Sequence, residues 1–178
     1  MNFQNYSIEQ YQEALASKKS TPSGGSALAL TLDTASSLCL MVCNLTFDKK
    51  GYENVRDRIS VLKDESLQIK EQAKILMNED SIAFNALMDA FKNKDEERIK
   101  EEAVHSAMVP YRLINETKKL QQVAEELIKI GNKNVQSDAI IAYDLCNAIY
   151  NGSKLNIKAN IPFINDQNIL SKLLPILD

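Results

Sequence analysis

Four prolines and five glycines in 178 residues leave few places to break a helix. No stretch alternates apolar and polar residues over the length a strand needs, so the chain reads as all-α. Histidine occurs once, at His105, inside a charged segment, and it is read as a surface or capping residue. The three cysteines, Cys39, Cys43 and Cys146, are an odd number without a framework of spacings, which suits a reducing cytoplasm better than a disulfide scaffold. Cys39 and Cys43 lie four apart on one helical face, but no His or second Cys pair completes a metal shell, and no metal site is expected. An excess of one charge is also missing. With 21 Lys and Arg against 24 Asp and Glu, the net charge of −3 argues against nucleic acid or an anionic membrane as the main partner. The N-terminus, Met1-Asn-Phe-Gln-Asn-Tyr6, carries neither a basic cluster nor an apolar run, so no secretory signal is read there and a cytoplasmic protein is expected.

What the sequence does contain is helical periodicity in a chain that is 44% hydrophobic, enough to bury the core of one domain spanning residues 1–178. Ser7-Ile-Glu-Gln10 resembles a capping box that opens a short helix to about Ala16, with Ile8, Tyr11 and Leu15 on one side. From about Ser26 to Leu45 the only charge is Asp33. Five Ser or Thr residues in that span favour a helix buried among other helices over a membrane span. A pattern from about Glu53 to Lys92 predicts one long helix, bent near Asn78 and suited to a bundle edge or dimer surface. Asp95 caps the next helix, which Pro110 is expected to kink or break before it resumes to Ile130 and stops at Gly131. Ser137 or Asp138 restarts a helix ending near Gly152, and a short helix follows Asp166. The architecture expected is an up-and-down helical bundle with long helices, with a second copy as the expected partner.

The most informative segment is Thr21-Pro-Ser-Gly-Gly-Ser-Ala27. Gly24 and Gly25 suggest positive φ and close approach to a ligand, and Ser26 stands where it can cap the following helix. With Asn44-Leu-Thr46 and the lysines after it, Asp80-x-x-Ala-Phe84, Val109-Pro110, Gly131-Asn-x-Asn-x-x-Ser-Asp138 and Asn156-x-x-x-Asn160, the chain resembles the C-terminal domain family of formiminotransferase-cyclodeaminase, which includes stand-alone bacterial methenyltetrahydrofolate cyclohydrolases. The resemblance covers most of the chain. It implies a helical domain, usually dimeric, that processes one-carbon units on tetrahydrofolate. Asp80 aligns with the family's acid-base position; without the resemblance, an aspartate in a long helix reads as a solvated charge. Gly24, Gly25, Ser26, Thr46, Lys49, Lys50, Asn132, Asn134, Ser137, Asp138, Asn156 and Asn160 are the substrate-binding positions the resemblance implies. Read as residues alone, Thr46 to Lys50 is an exposed helix connection, Asn132 to Asp138 ends one helix and caps the next, and the last two asparagines hold loops together.

Two reactions are implied, cyclodeamination of 5-formiminotetrahydrofolate and hydrolysis of the methenyl bridge. Both pass through a tetrahedral carbon bonded to N5 and N10, so one carboxylate serves either, with the folate as substrate, no permanent cofactor and no metal. A non-catalytic folate-binding or assembly protein of the same family is the alternative. The sequence departs from the family pattern where Ser23 replaces the middle glycine of a triplet, where Gly51 separates Lys50 from Tyr52, where Asn78 replaces a second acid, and where Asn93-Lys-Asp95 stands in place of Leu-Pro-Lys. These departures bear on substrate choice and rate more than on fold.

Overall fold

The computed structural model describes residues 2–177. Among them no strand occurs. A 3-10 turn at Phe3–Asn5 leads into α1 (Ile8–Leu15), followed by α2 (Gly24–Phe47), α3 (Arg56–Asn93), α4 (Glu96–Ile130), α5 (Gln136–Asn160) and α6 (Gln167–Leu177). Short connections make consecutive long helices antiparallel neighbours, so α2 to α5 form an up-and-down bundle in which α2 packs on α3 and α5, and α4 on α3 and α5.

The local signals act as their chemistry dictates. Ser7 Oγ accepts from the Gln10 amide at 3.1 Å and Gln10 Oε1 accepts from the Ser7 amide at 2.8 Å, closing the capping box of α1. Tyr11 is buried, but Ile8 is 84% exposed and does not share its packing. Lys94 takes a left-handed conformation (φ 55°) to end α3, and the Asp95 carboxylate accepts from the Arg98 amide to start α4. That turn occupies the place of the missing Leu-Pro-Lys segment.

Two expected breaks do not occur. α4 runs through Pro110 because Val109, Leu113 and Ile114 are buried around it and their packing outweighs one missing hydrogen bond. α5 runs past Gly152 to Asn160, because this glycine answers a packing need: a Cβ there would lie 2.8 Å from a terminal methyl of Leu28 on α2. Gly131 does end α4, without positive φ, and a Cβ on it would sit 2.5 Å from the Leu127 carbonyl oxygen. Since that atom is backbone and cannot swing aside, Gly131→Ala is expected to destabilise the fold by about 1–3 kcal/mol, read as a shifted denaturation midpoint.

One core runs the length of α2, through Leu32, Cys39, Ile59, Leu62, Leu76, Leu120, Leu127 and Ile149. All three thiols are buried in it, and burial pushes those of Cys43 and Cys146 up to about 12. A second core lies beyond the start of α2, where Leu87, Ala103, Ile114, Ile157 and Leu173 bring α3, α4, α5 and α6 together. α2 is shorter than its neighbours, at 24 residues against 38 for α3 and 35 for α4. Its N-terminus therefore stops part-way along the bundle and opens onto a space walled by the other helices.

Candidate active site at the start of α2

That space is a pocket of about 340 Å³ lined by Ser23 and Gly24, by Asp80, Phe84, Leu87 and Phe91 of α3, by Ser106 of α4, and by Asn156 and Asn160 of α5. Phe163, from the 3-10 turn after α5, meets Phe91 edge-on at 5.0 Å between ring centres and closes one wall. Pro110 contributes indirectly. Lacking an N–H, it leaves the Ser106 carbonyl one turn earlier without its helical donor, beside the pocket.

Asp80 is the one carboxylate in this lining. Its Oδ2 accepts from the Ser26 amide at 2.9 Å and from the Ser23 hydroxyl at 3.3 Å. The helix starts at Gly24 with Ser23 as its N-cap residue, yet no side chain of that segment caps it; the carboxylate arriving from α3 does so instead. Ser26, expected to be the cap, is the third residue of the first turn, and its hydroxyl is buried against the Tyr11 phenol at 3.0 Å. The glycines also act differently from expectation. Among the described glycines only Gly51 has positive φ; Gly24 and Gly25 are helical. Gly25 is required by proximity, since a Cβ on it would fall 2.0 Å from Asp80 Oδ1, whereas one on Gly24 would meet nothing within 4 Å.

Burial raises the pKa of Asp80 above its ordinary 3.8, outweighing the Ser26 amide and Ser23 hydroxyl, which pull it down. Glu79, one residue away, points elsewhere and pairs with Arg112 of α4. A separate cavity of about 200 Å³ under the N-terminal turn contains Asp33, but Lys70 holds that carboxylate at 2.5 Å. Asp80 differs in having only neutral donors among the described residues.

The remaining implied positions lie at the other end of α2. Asn132 is buried and fully engaged: its Oδ1 accepts from Lys49 Nζ at 2.9 Å and from the Asn134 amide at 3.0 Å, its Nδ2 donates to the Leu45 carbonyl, and its amide donates to Thr46 Oγ1. Thr46 in turn donates to the Val42 carbonyl. α5 begins at Gln136, so Ser137 and Asp138 are inside its first turn and the capping of this connection falls to Asn132. Lys50, Asn134 and Ser137 are exposed. The structure thus joins Asp80, Gly24, Asn156 and Asn160 in one pocket and leaves Thr46, Lys49, Lys50, Asn132, Asn134, Ser137 and Asp138 about 36 Å away along α2. Sequence reading missed Ser23, counted only as a departure, and Phe91 and Phe163, whose signal as apolar residues did not distinguish a pocket wall from core.

A sequence profile of formiminotransferase-cyclodeaminase matches residues 7–175. The chain belongs to this family. Its relatives in the formiminotransferase-cyclodeaminase family include a methenyltetrahydrofolate cyclohydrolase of Methylorubrum extorquens, 31% identical over 98% of this chain and 88% of that protein. The formimidoyltransferase-cyclodeaminase of the rat is 23% identical over 90% of this chain, which spans only 31% of that longer protein. The crystal structure of formiminotetrahydrofolate cyclodeaminase from Thermotoga maritima superposes with a TM-score of 0.93 at 30% identity, over 98% of this chain and 87% of that one.

Proposed function

We propose that this member of the family rearranges the one-carbon unit of tetrahydrofolate between N5 and N10, with Asp80 as the proton-transfer group. The observation that carries this reading is a half-buried carboxylate, held at a helix N-terminus by neutral donors and facing a pocket with aromatic walls. In cyclodeamination, N10 attacks the carbon of the protonated formimino group, Asp80 takes the N10 proton and returns it to the departing amino nitrogen, and ammonia and the methenyl cation result. In cyclohydrolysis, water attacks the methenyl carbon, Asp80 takes one water proton and returns it to the nitrogen whose bond to carbon breaks, the second water proton is released to solvent, and the formyl form results. The names of the relatives support both reactions. The flat pteridine fits between Phe84, Phe91 and Phe163, with Asn156 and Asn160 as polar partners. The protein works as one domain and a homodimer in the cytoplasm, with the folate as substrate and no permanently bound cofactor, nucleic acid or membrane.

The test supplies each folate separately and follows the methenyl chromophore. Its appearance from 5-formiminotetrahydrofolate identifies cyclodeamination, and its accelerated loss from the methenyl form identifies cyclohydrolysis. No change in either contradicts the proposed activity.

A further inference from the structure

Asp80 is held by the first turn of α2, and that turn has few bonds of its own. Its N-cap residue, Ser23, gives it no side-chain bond, and the carboxylate from α3 caps it instead. The fit is close, since a Cβ on Gly25 would fall 2.0 Å from Asp80 Oδ1. A small shift of the turn therefore moves the carboxylate or breaks its bonds. One contact from outside the bundle opposes such a shift: the Tyr11 phenol, carried by α1 and only 4% exposed, meets the Ser26 hydroxyl at 3.0 Å. Among the described residues that hydroxyl has no other partner. Ser26 is thus tied to Tyr11 through its side chain and to Asp80 through its amide.

Tyr11 is anchored in turn. Its ring stands edge-on to Phe3 at 5.8 Å between centres, and the Phe3 amide donates to Asn78 Oδ1 at 2.8 Å, two residues before Asp80. Gln4 Nε2 donates to the Lys74 carbonyl one turn earlier on α3. Beyond Asp80, Asn85 Nδ2 donates to Thr21 Oγ1 at 3.3 Å. Asn78, Asp80 and Asn85 of α3 therefore pin Phe3, the Ser23 and Ser26 pair, and Thr21, so the chain leading into α2 forms a brace on either side of the carboxylate. Tyr11 lines the separate cavity under the N-terminal turn and not the Asp80 pocket. It acts from outside the substrate site.

We infer that Tyr11, acting through Ser26, is a positioning residue that sets where the Asp80 carboxylate stands. The Ser26 amide favours the ionised carboxylate, so a turn that loosens weakens this bond and lets burial raise the pKa of Asp80 further. Tyr11 itself stays protonated. Burial raises its pKa above the ordinary 10.0, against the pull of the Ser26 bond and with a further push from the Asp80 charge. No other charge competes for Asp80. The rest of the pocket lining is neutral, Glu79 pairs with Arg112, Asp33 pairs with Lys70, and Glu9, Glu13, Lys18 and Lys19 before α2 are exposed. This inference rests on the role proposed above for Asp80.

Tyr11→Phe removes the phenol oxygen but keeps the ring on Phe3, so helical circular dichroism should be unchanged. Turnover should fall roughly 10-fold, part of the loss that a misplaced reacting group brings, with KM within about twofold of the wild type. The titration of the Asp80 carboxyl, followed by carbon-13 NMR of the full chain, and the acid limb of kcat/KM should both move to higher pH. A brace that only added stability would leave that titration in place. Ser26→Ala should reproduce both effects, and the double variant should lose no more than either single one, because each change removes the same bond. Should Tyr11→Phe not fold, the titration of Ser26→Ala decides alone. Wild-type turnover in Tyr11→Phe, a lowered turnover with an unmoved titration, or additive losses in the double variant would each overturn the inference. If the wild type turns over neither folate, the proposed reaction fails, while the NMR titration still reports whether Tyr11 controls the carboxylate.

Discussion

Asp80→Asn is expected to lower turnover by roughly 10²–10⁴-fold while changing folate affinity much less, because the amide keeps the shape of the carboxylate but cannot accept a proton. The carbonyl oxygen of asparagine can still receive the Ser26 amide and the Ser23 hydroxyl, so the start of α2 stays capped and the helical fold is retained. Binding measured by calorimetry and turnover measured by the methenyl chromophore should therefore separate. Glu79→Gln is the control. Its side chain pairs with Arg112 on the face toward α4, outside the pocket lining, so its loss removes a half-exposed ion pair worth at most about 1 kcal/mol and leaves the chemistry intact. Near wild-type turnover in Asp80→Asn, or a larger loss in Glu79→Gln, would reassign the proton-transfer group.

Gly25→Ala should come close to the same loss of turnover by a different route. A single methyl at this position would overlap Asp80 Oδ1, at 2.0 Å, so either the carboxylate leaves its place or the first turn of α2 moves. A displacement of about 1 Å at a reacting group can cost on the order of 10²-fold in rate. Gly24→Ala, one residue earlier, adds its methyl in open space and should leave Asp80 in place. The pair of variants separates proximity from backbone freedom. Equal tolerance of both changes would show that Asp80 does not need its observed position, and equal damage would point to the loop backbone.

Much of this fold is legible in the sequence because its signals are local. The Ser7–Gln10 reciprocal cap, the Asp95 cap and the helical spacing of the core residues each follow from neighbours a turn apart. Gly152 and Pro110 mislead for the opposite reason. One is a glycine packed against Leu28 on another helix, and the other is a proline tolerated by the core around it. The site shows the same division. Asp80, Asn156 and Asn160 could be placed through resemblance, and they meet in one pocket. That Asp80 would cap α2, and that Gly25 exists to admit it, depends on a contact across 54 residues of chain that no local pattern reports. Asn132 reads in sequence as a helix-ending residue with polar groups to offer a ligand; in the structure Lys49, Asn134, Leu45 and Thr46 already occupy them.

The pH dependence of kcat/KM tests the central claim most directly, by comparing the wild type with Asp80→Asn. The carboxylate must be ionised to accept a proton, and burial raises its pKa above the ordinary 3.8, so activity should fall with acid through a midpoint displaced upward from that value. The residual activity of Asp80→Asn should lack this acid limb. An acid limb of the same midpoint in both proteins would assign the proton transfer to another group and contradict the account.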